Sequence, residues 1–203
     1  MPAASLVREM IDGAAGKIEI DINDPGAGRR GIALIAHPNP LQGGTKDNKV
    51  VTTLAKTFFA LNYVAARPNF RGVGASEGIH DSGSGEADDL VAVVGYLKKR
   101  FGDLPLVLAG FSFGSYVQAR VAPRVKPARM VLVGAAANRL RDETVPPDTL
   151  LIHGENDDVV PLAAILDWAR PQGLPVVVVP GGEHFFHGRL NLLSDIVVRY
   201  CRD

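Results

Sequence analysis

Short, unbroken apolar runs alternate along this chain with longer stretches in which apolar residues recur every three or four positions. The runs 31–37 (GIALIAH), 62–68 (NYVAARP), 104–110 (LPLVLAG), 129–134 (RMVLVG), 149–154 (TLLIHG) and 175–180 (PVVVVP) have strand length. They lack the polar alternation of a strand with one wet face. Strands buried on both faces belong to a parallel sheet covered by helices on either side, so the pattern predicts an α/β fold with these six strands parallel. Segments around 5–10 and 17–22 are expected to pair as an N-terminal hairpin.

Between the first two runs, Val50, Val51, Leu54, Phe58 and Leu61 fall on one helical face, which predicts an amphipathic crossover over 45–61. A second crossover is expected over 86–100. Glu86, Asp88 and Asp89 open it and Lys98, Lys99 and Arg100 close it, with Gly102 beyond, in accord with the helix dipole and a glycine stop. Further helices are predicted at 115–122, at 161–170 with Pro161 in the first turn, and at 190–201. No repeat or linker interrupts the pattern, and 203 residues suit one domain over 1–203.

Composition narrows the partners. Lysine plus arginine equal aspartate plus glutamate at 22 each, so no global field favours nucleic acid, an anionic membrane or a polyanion. The single cysteine, Cys201, has no partner for an internal disulfide. The first residues lack a signal-peptide layout and no apolar run approaches a membrane span, so a soluble cytoplasmic protein is expected, as monomer or homodimer.

In an open parallel sheet, ligands sit beyond the carboxyl ends of the strands. Four such turns carry reactive side chains: His37 to Gly44, the turn at Ser112, Glu155 to Asp158, and Gly181 to His184. The pentapeptide Gly110-Phe111-Ser112-Phe113-Gly114 lies between an apolar strand run and an amphipathic stretch, the strand-turn-helix setting of a serine nucleophile. A serine hydroxyl is a weak nucleophile and needs a neighbouring base. Candidates for base and carboxylate follow in the order Ser, Asp, His.

These linked motifs, HPNPLQGGTKDNKVV, RPNFRGVGASEG, GFSFGS, HGENDDVVP and GGEHFFHGRL, resemble the α/β-hydrolase superfamily over nearly the whole chain. They are similar to small bacterial serine hydrolases related to carboxylesterases and dienelactone hydrolases. One departure is informative, since dienelactone hydrolases proper use a cysteine where this chain has Ser112. The resemblance implies an α/β-hydrolase fold, a serine esterase working through an acyl-enzyme, a small-molecule ester as substrate and no cofactor; thioesterase or peptidase chemistry with the same triad, or a non-catalytic binding module on this scaffold, stays open.

It also implies roles. Ser112 attacks the carbonyl, a histidine moves its proton, and a carboxylate orients the imidazole. The superfamily spacing points to Asp157, with Asp158 as rival. The superfamily order restricts the base to His184 or His187, and His184 follows the Gly181-Gly182 turn directly. One oxyanion donor is expected at the Phe113 amide. Pro38 and Pro40 lack an N–H, so the other is Asn39 or Leu41, and likeness to an HGxP loop favours Asn39.

Other readings of the same residues are structural. His37 and His153 are expected to hydrogen-bond loop backbone, and His80 to lie in an exposed glycine-rich loop. Arg71 is expected to tie down its own loop, although Arg67 or Arg71 reaching a substrate carboxylate stays open. Neither an HExxH motif nor a cysteine cluster completes a metal-ligand set, and 72–78 lacks the GxGxxG spacing of a dinucleotide loop. Residues 135–148 are too few to build a lid domain, which predicts an open site for small soluble esters.

Overall fold

The computed structural model describes residues 5–202. Eight strands form one sheet in the order β1-β2-β4-β3-β5-β6-β7-β8. β1 (Ser5–Gly13) and β2 (Gly16–Asp24) are an antiparallel hairpin, longer than the expected segments around 5–10 and 17–22. β2 pairs antiparallel with β4 (Tyr63–Pro68). The other strands are β3 (Gly31–Ala36), β5 (Leu106–Phe111), β6 (Arg129–Val133), β7 (Leu150–Gly154) and β8 (Val176–Val179), and β3 to β8 are mutually parallel.

Side chains of an apolar strand still alternate between faces, and here both faces are covered. Ile32, Leu34, Leu108 and Leu132 pack with α2 (Ser84–Phe101), α3 (Phe113–Val125) and α4 (Leu162–Ala169), through Leu90, Val93, Val117, Val121, Ile165 and Trp168. Ala33, Ile35, Val107, Ala109 and Val131 pack with α1 (Lys49–Ala60) and α5 (Leu190–Cys201), through Val50, Leu54, Phe58, Leu193, Val197 and Cys201. No described helix is long and apolar enough to cross a membrane.

Capping chemistry sets the helix bounds and corrects the expected ones. α1 starts at Lys49 rather than residue 45, because Asn48 Oδ1 accepts the Val50 amide at 2.9 Å. α2 starts earlier, at Ser84, where Glu86 reaches back to the Gly83 amide at 2.8 Å. Pro161 is the residue before α4, not in its first turn. Of the acidic residues near the start of α2, Asp89 pairs with Arg71 and Asp88 with Arg124.

Between β6 and β7 the chain makes only turns, and no lid covers the sheet among the described residues. The connection is clamped sideways to α4 and the turn after it. Trp168 Nε1 donates to the Glu143 carbonyl at 3.1 Å, and the Val145 amide to Gln172 Oε1 at 3.1 Å.

Candidate active site

Ser112 stands between the last residue of β5 and the first of α3 with φ 53° and ψ −117°, a positive φ that a residue with a Cβ adopts only under constraint. Two close approaches supply that constraint. A Cβ on Gly114 would lie 2.3 Å from the Ala36 carbonyl oxygen, and one on Gly110 would lie 2.6 Å from the Gly114 carbonyl. Only glycine lets strand and helix meet this tightly. The Ser112 amide is held by the Val133 carbonyl at 2.9 Å.

His184 follows β8 and Asp157 follows β7, and both reach this turn. Ser112 Oγ is 3.1 Å from His184 Nε2, and His184 Nδ1 is 2.7 Å from Asp157 Oδ2. A carboxylate only accepts, so Nδ1 carries the ring proton and Nε2 presents its lone pair to the serine hydroxyl. Asp157 Oδ1 accepts the Val159 amide at 3.0 Å and the Val160 amide at 2.7 Å. Burial of Asp157 opposes ionisation, but the His184 and Val160 hydrogen bonds outweigh it and hold the carboxyl below the usual range. The His184 ring packs against Phe111, with centroids 5.0 Å apart, and against Phe185 at 5.2 Å.

The rivals lie elsewhere. His187 is exposed and sits 3.4 Å from Glu183, and Asp158 is exposed. Leu41 donates its amide to Asn39 Oδ1 at 3.0 Å, whereas among the described residues neither the Asn39 nor the Phe113 amide donates within the chain.

Two buried histidines support the loops. His37 contacts the Pro38 carbonyl at 2.7 Å and accepts the Phe70 amide at 2.9 Å, and burial pushes its pKa down to about 4 against the pull of that carbonyl. His153 contacts the Val160 carbonyl at 2.8 Å and lies 3.5 Å from Asp157 Oδ2. Burial lowers its pKa in spite of both neighbours.

His80 departs from expectation. Its side chain is only 13% exposed, 2.7 Å from the buried Glu86 and packed on the Phe113 ring with centroids 5.4 Å apart, because a carboxylate buried under that loop needs partners. Arg71 does tie its loop down, donating to Asp89 at 2.8 Å and to the Gly85 carbonyl at 2.7 Å. Arg67 is buried and faces Asp21 at 3.3 Å, and neither arginine lines the cleft at Ser112.

Lys46 had no sequence signal. Its ammonium lies 3.2 Å from buried Asp21, its amide donates to Asn69 at 2.9 Å, and its carbonyl accepts from Arg67 at 2.9 Å. This network anchors the end of the β3–α1 loop. The charges at 21 and 67, each inside a strand run, were its only trace in the sequence.

The cleft at Ser112 and His184 measures about 380 Å³. Asn39, Gln42 and Asn48 enter it from the β3–α1 loop, and Val159 and Phe185 from the turns after β7 and β8. A larger cavity of about 610 Å³, between the β6–β7 connection and α4, contains none of Ser112, Asp157 and His184.

Known proteins share this framework. The family model described as serine aminopeptidase, S33, matches residues 40–147, more than half of the chain. A lid-less α/β serine hydrolase from Xanthomonas campestris is 33% identical with a TM-score of 0.92, covering 100% of this chain and 95% of its own. An α/β serine hydrolase homologue from Coxiella burnetii is 37% identical with a TM-score of 0.89, covering 99% and 100%. The lysophosphatidylserine lipase of Mus musculus is 27% identical over 94% of this chain, which spans only 41% of that protein. The chain belongs to the lid-less α/β serine hydrolases, within the family described as serine aminopeptidase, S33.

Proposed function

We propose that this protein hydrolyses small, neutral carboxylic esters through an acyl-enzyme on Ser112. The observation that carries the reading is the continuous hydrogen-bonded chain from Ser112 Oγ through His184 to Asp157. His184 Nε2 takes the hydroxyl proton as Ser112 Oγ bonds to the ester carbonyl carbon, and Asp157 stabilises the imidazolium. The carbonyl oxygen becomes an oxyanion facing the Phe113 and Asn39 amides. Collapse breaks the bond to the alkoxy oxygen, which leaves as the alcohol with the proton from His184. Water then repeats the sequence on the acyl-enzyme, releasing the carboxylic acid and restoring Ser112.

The cleft lining supports the choice among substrates. Recognition of a free α-ammonium, as the name serine aminopeptidase implies, calls for a carboxylate, and a phosphate-bearing lipid calls for a cation. The lining includes no Asp, Glu, Lys or Arg, only amides, glycines, apolar groups, Ser112 and His184. A neutral ester matches that inventory.

Steady-state rates on p-nitrophenyl esters from acetate to palmitate, an aminoacyl p-nitroanilide and lysophosphatidylserine test the proposal. Turnover of the esters that levels off at short acyl chains supports it, since each further methylene that stays in water forgoes about 0.8 kcal/mol of burial. Preference for the anilide, for lysophosphatidylserine or for palmitate contradicts it.

A further inference from the structure

We propose that His37 is a positioning residue for the oxyanion site, holding the Pro38–Asn39 peptide so that the Asn39 N–H faces the cleft it shares with Ser112. The inference rests on the reading of Asn39 as an oxyanion donor.

The ring's tautomer follows from its neighbours. The Phe70 amide lies 2.9 Å from His37 Nε2, and a backbone N–H can only donate, so Nε2 holds the lone pair. The single proton of the neutral ring is therefore on Nδ1, which donates to the Pro38 carbonyl at 2.7 Å. His37 is fully buried, and a pKa of about 4 keeps it in this neutral form.

The Pro38 carbonyl and the Asn39 amide belong to the same peptide unit. No described peptide bond is cis, and in a trans peptide the C=O and N–H point in opposite directions. Fixing the oxygen against His37 therefore fixes the direction of the Asn39 N–H. A wall stands beside that oxygen, because a Cβ on Gly44 would come within 2.1 Å of it. Rotation of the peptide is blocked by a hydrogen bond and by a backbone.

The same ring links both amides invoked for the oxyanion. Phe70, whose amide fixes the tautomer, packs on His37 with centroids 4.3 Å apart and on Phe113 at 5.7 Å. The next carbonyl, that of His37 itself, is one of the atoms a Cβ on Gly114 would strike, at 2.7 Å. The loop carrying Asn39 and the turn carrying Ser112 are thus locked to each other through residue 37.

The test compares wild type, His37→Phe and His37→Asn. Phenylalanine keeps the packing and removes both nitrogens, while the asparagine side-chain NH₂ occupies the place of Nδ1. Kinetics on p-nitrophenyl butyrate are read beside the inhibition constant of an aryl trifluoromethyl ketone, which forms a tetrahedral adduct with a reactive serine. In His37→Phe, kcat is expected to fall about 10- to 100-fold with KM nearly unchanged, and ketone binding to weaken by a similar factor. His37→Asn is expected to recover most of both. Unchanged kcat in folded His37→Phe, or a fall in kcat with ketone binding intact, would overturn the proposal. Should His37→Phe not fold, ¹⁵N NMR of the wild-type imidazole decides, with an Nδ1-protonated ring expected and an Nε2-protonated ring overturning it. A wild-type protein that turns over no ester and binds no ketone would instead overturn the ester-hydrolase reading beneath it.

Discussion

Asn39 Oδ1 accepts the Leu41 amide at 3.0 Å, which occupies one of the two N–H groups that the loop after β3 could offer to an oxyanion. The Asn39 amide is left for that role, at φ −56° and ψ 120°. Proline favours φ near about −65° and tolerates an extended residue before a following proline. Asn39→Pro therefore removes the N–H with little backbone change, and is expected to lower kcat about 10²- to 10³-fold. Asn39→Ala keeps the N–H and should cost far less. Equal losses in the two variants would reassign the donor.

Carboxylate and base each have a neighbour of the same type, and geometry separates them. Asp157→Asn and His184→Ala are expected to reduce kcat about 10⁴-fold, whereas Asp158→Asn and His187→Ala should leave it within a few-fold of wild type. Kinetics on the four purified variants, with folding checked by circular dichroism, decides the matter. A large loss in Asp158→Asn would break the assignment.

The positive φ of Ser112 is strain kept at the proposed nucleophile. Glycine occupies that region freely, so Ser112→Gly is expected to stabilise the fold by about 1 kcal/mol while abolishing turnover. Urea unfolding of the two proteins measures this. A destabilised Ser112→Gly would mean that the side chain contributes more than its backbone costs.

Acid should weaken the fold before its carboxylates protonate. His37 takes up a proton near 6.5 when unfolded but only near 4 when folded, so between these values the unfolded chain holds more protons. Stability from this group is complete above 6.5 and is lost as pH falls toward 4, by about 3 kcal/mol. His153 acts in the same direction, and Asp157, lowered below 3.8, adds its loss only under that value. Melting temperatures from pH 7 to 4 should fall less steeply for His37→Asn than for wild type. Parallel profiles would remove His37 from the acid response.

The strand ends were legible in the sequence because each reactive residue directly follows an apolar run, and in a parallel sheet such turns gather at one edge. Ser112 stands out in its own turn, whereas the preference for Asp157 over Asp158 and for His184 over His187 drew on the superfamily's spacing and order. Features made by contacts between distant loops could not. Nothing near His80 announces that Glu86 and Phe113 will bury it, and nothing near Lys46 announces Asp21. The Leu41 amide is taken up by a side chain folding back on its own loop, a contact that residue types alone leave open. The uncharged character of the cleft was equally hidden, since its lining comes from turns far apart in the chain.

Covalent trapping tests the central claim most directly. Ser112 is the one serine within hydrogen-bond distance of an imidazole that is itself paired with a buried carboxylate, among the described residues. A fluorophosphonate probe should therefore add once per chain, at Ser112 by peptide mapping, and should fail to add to Ser112→Ala or, at the same rate, to His184→Ala. Folded wild-type protein that stays unlabelled, or labels at another serine, would contradict the account.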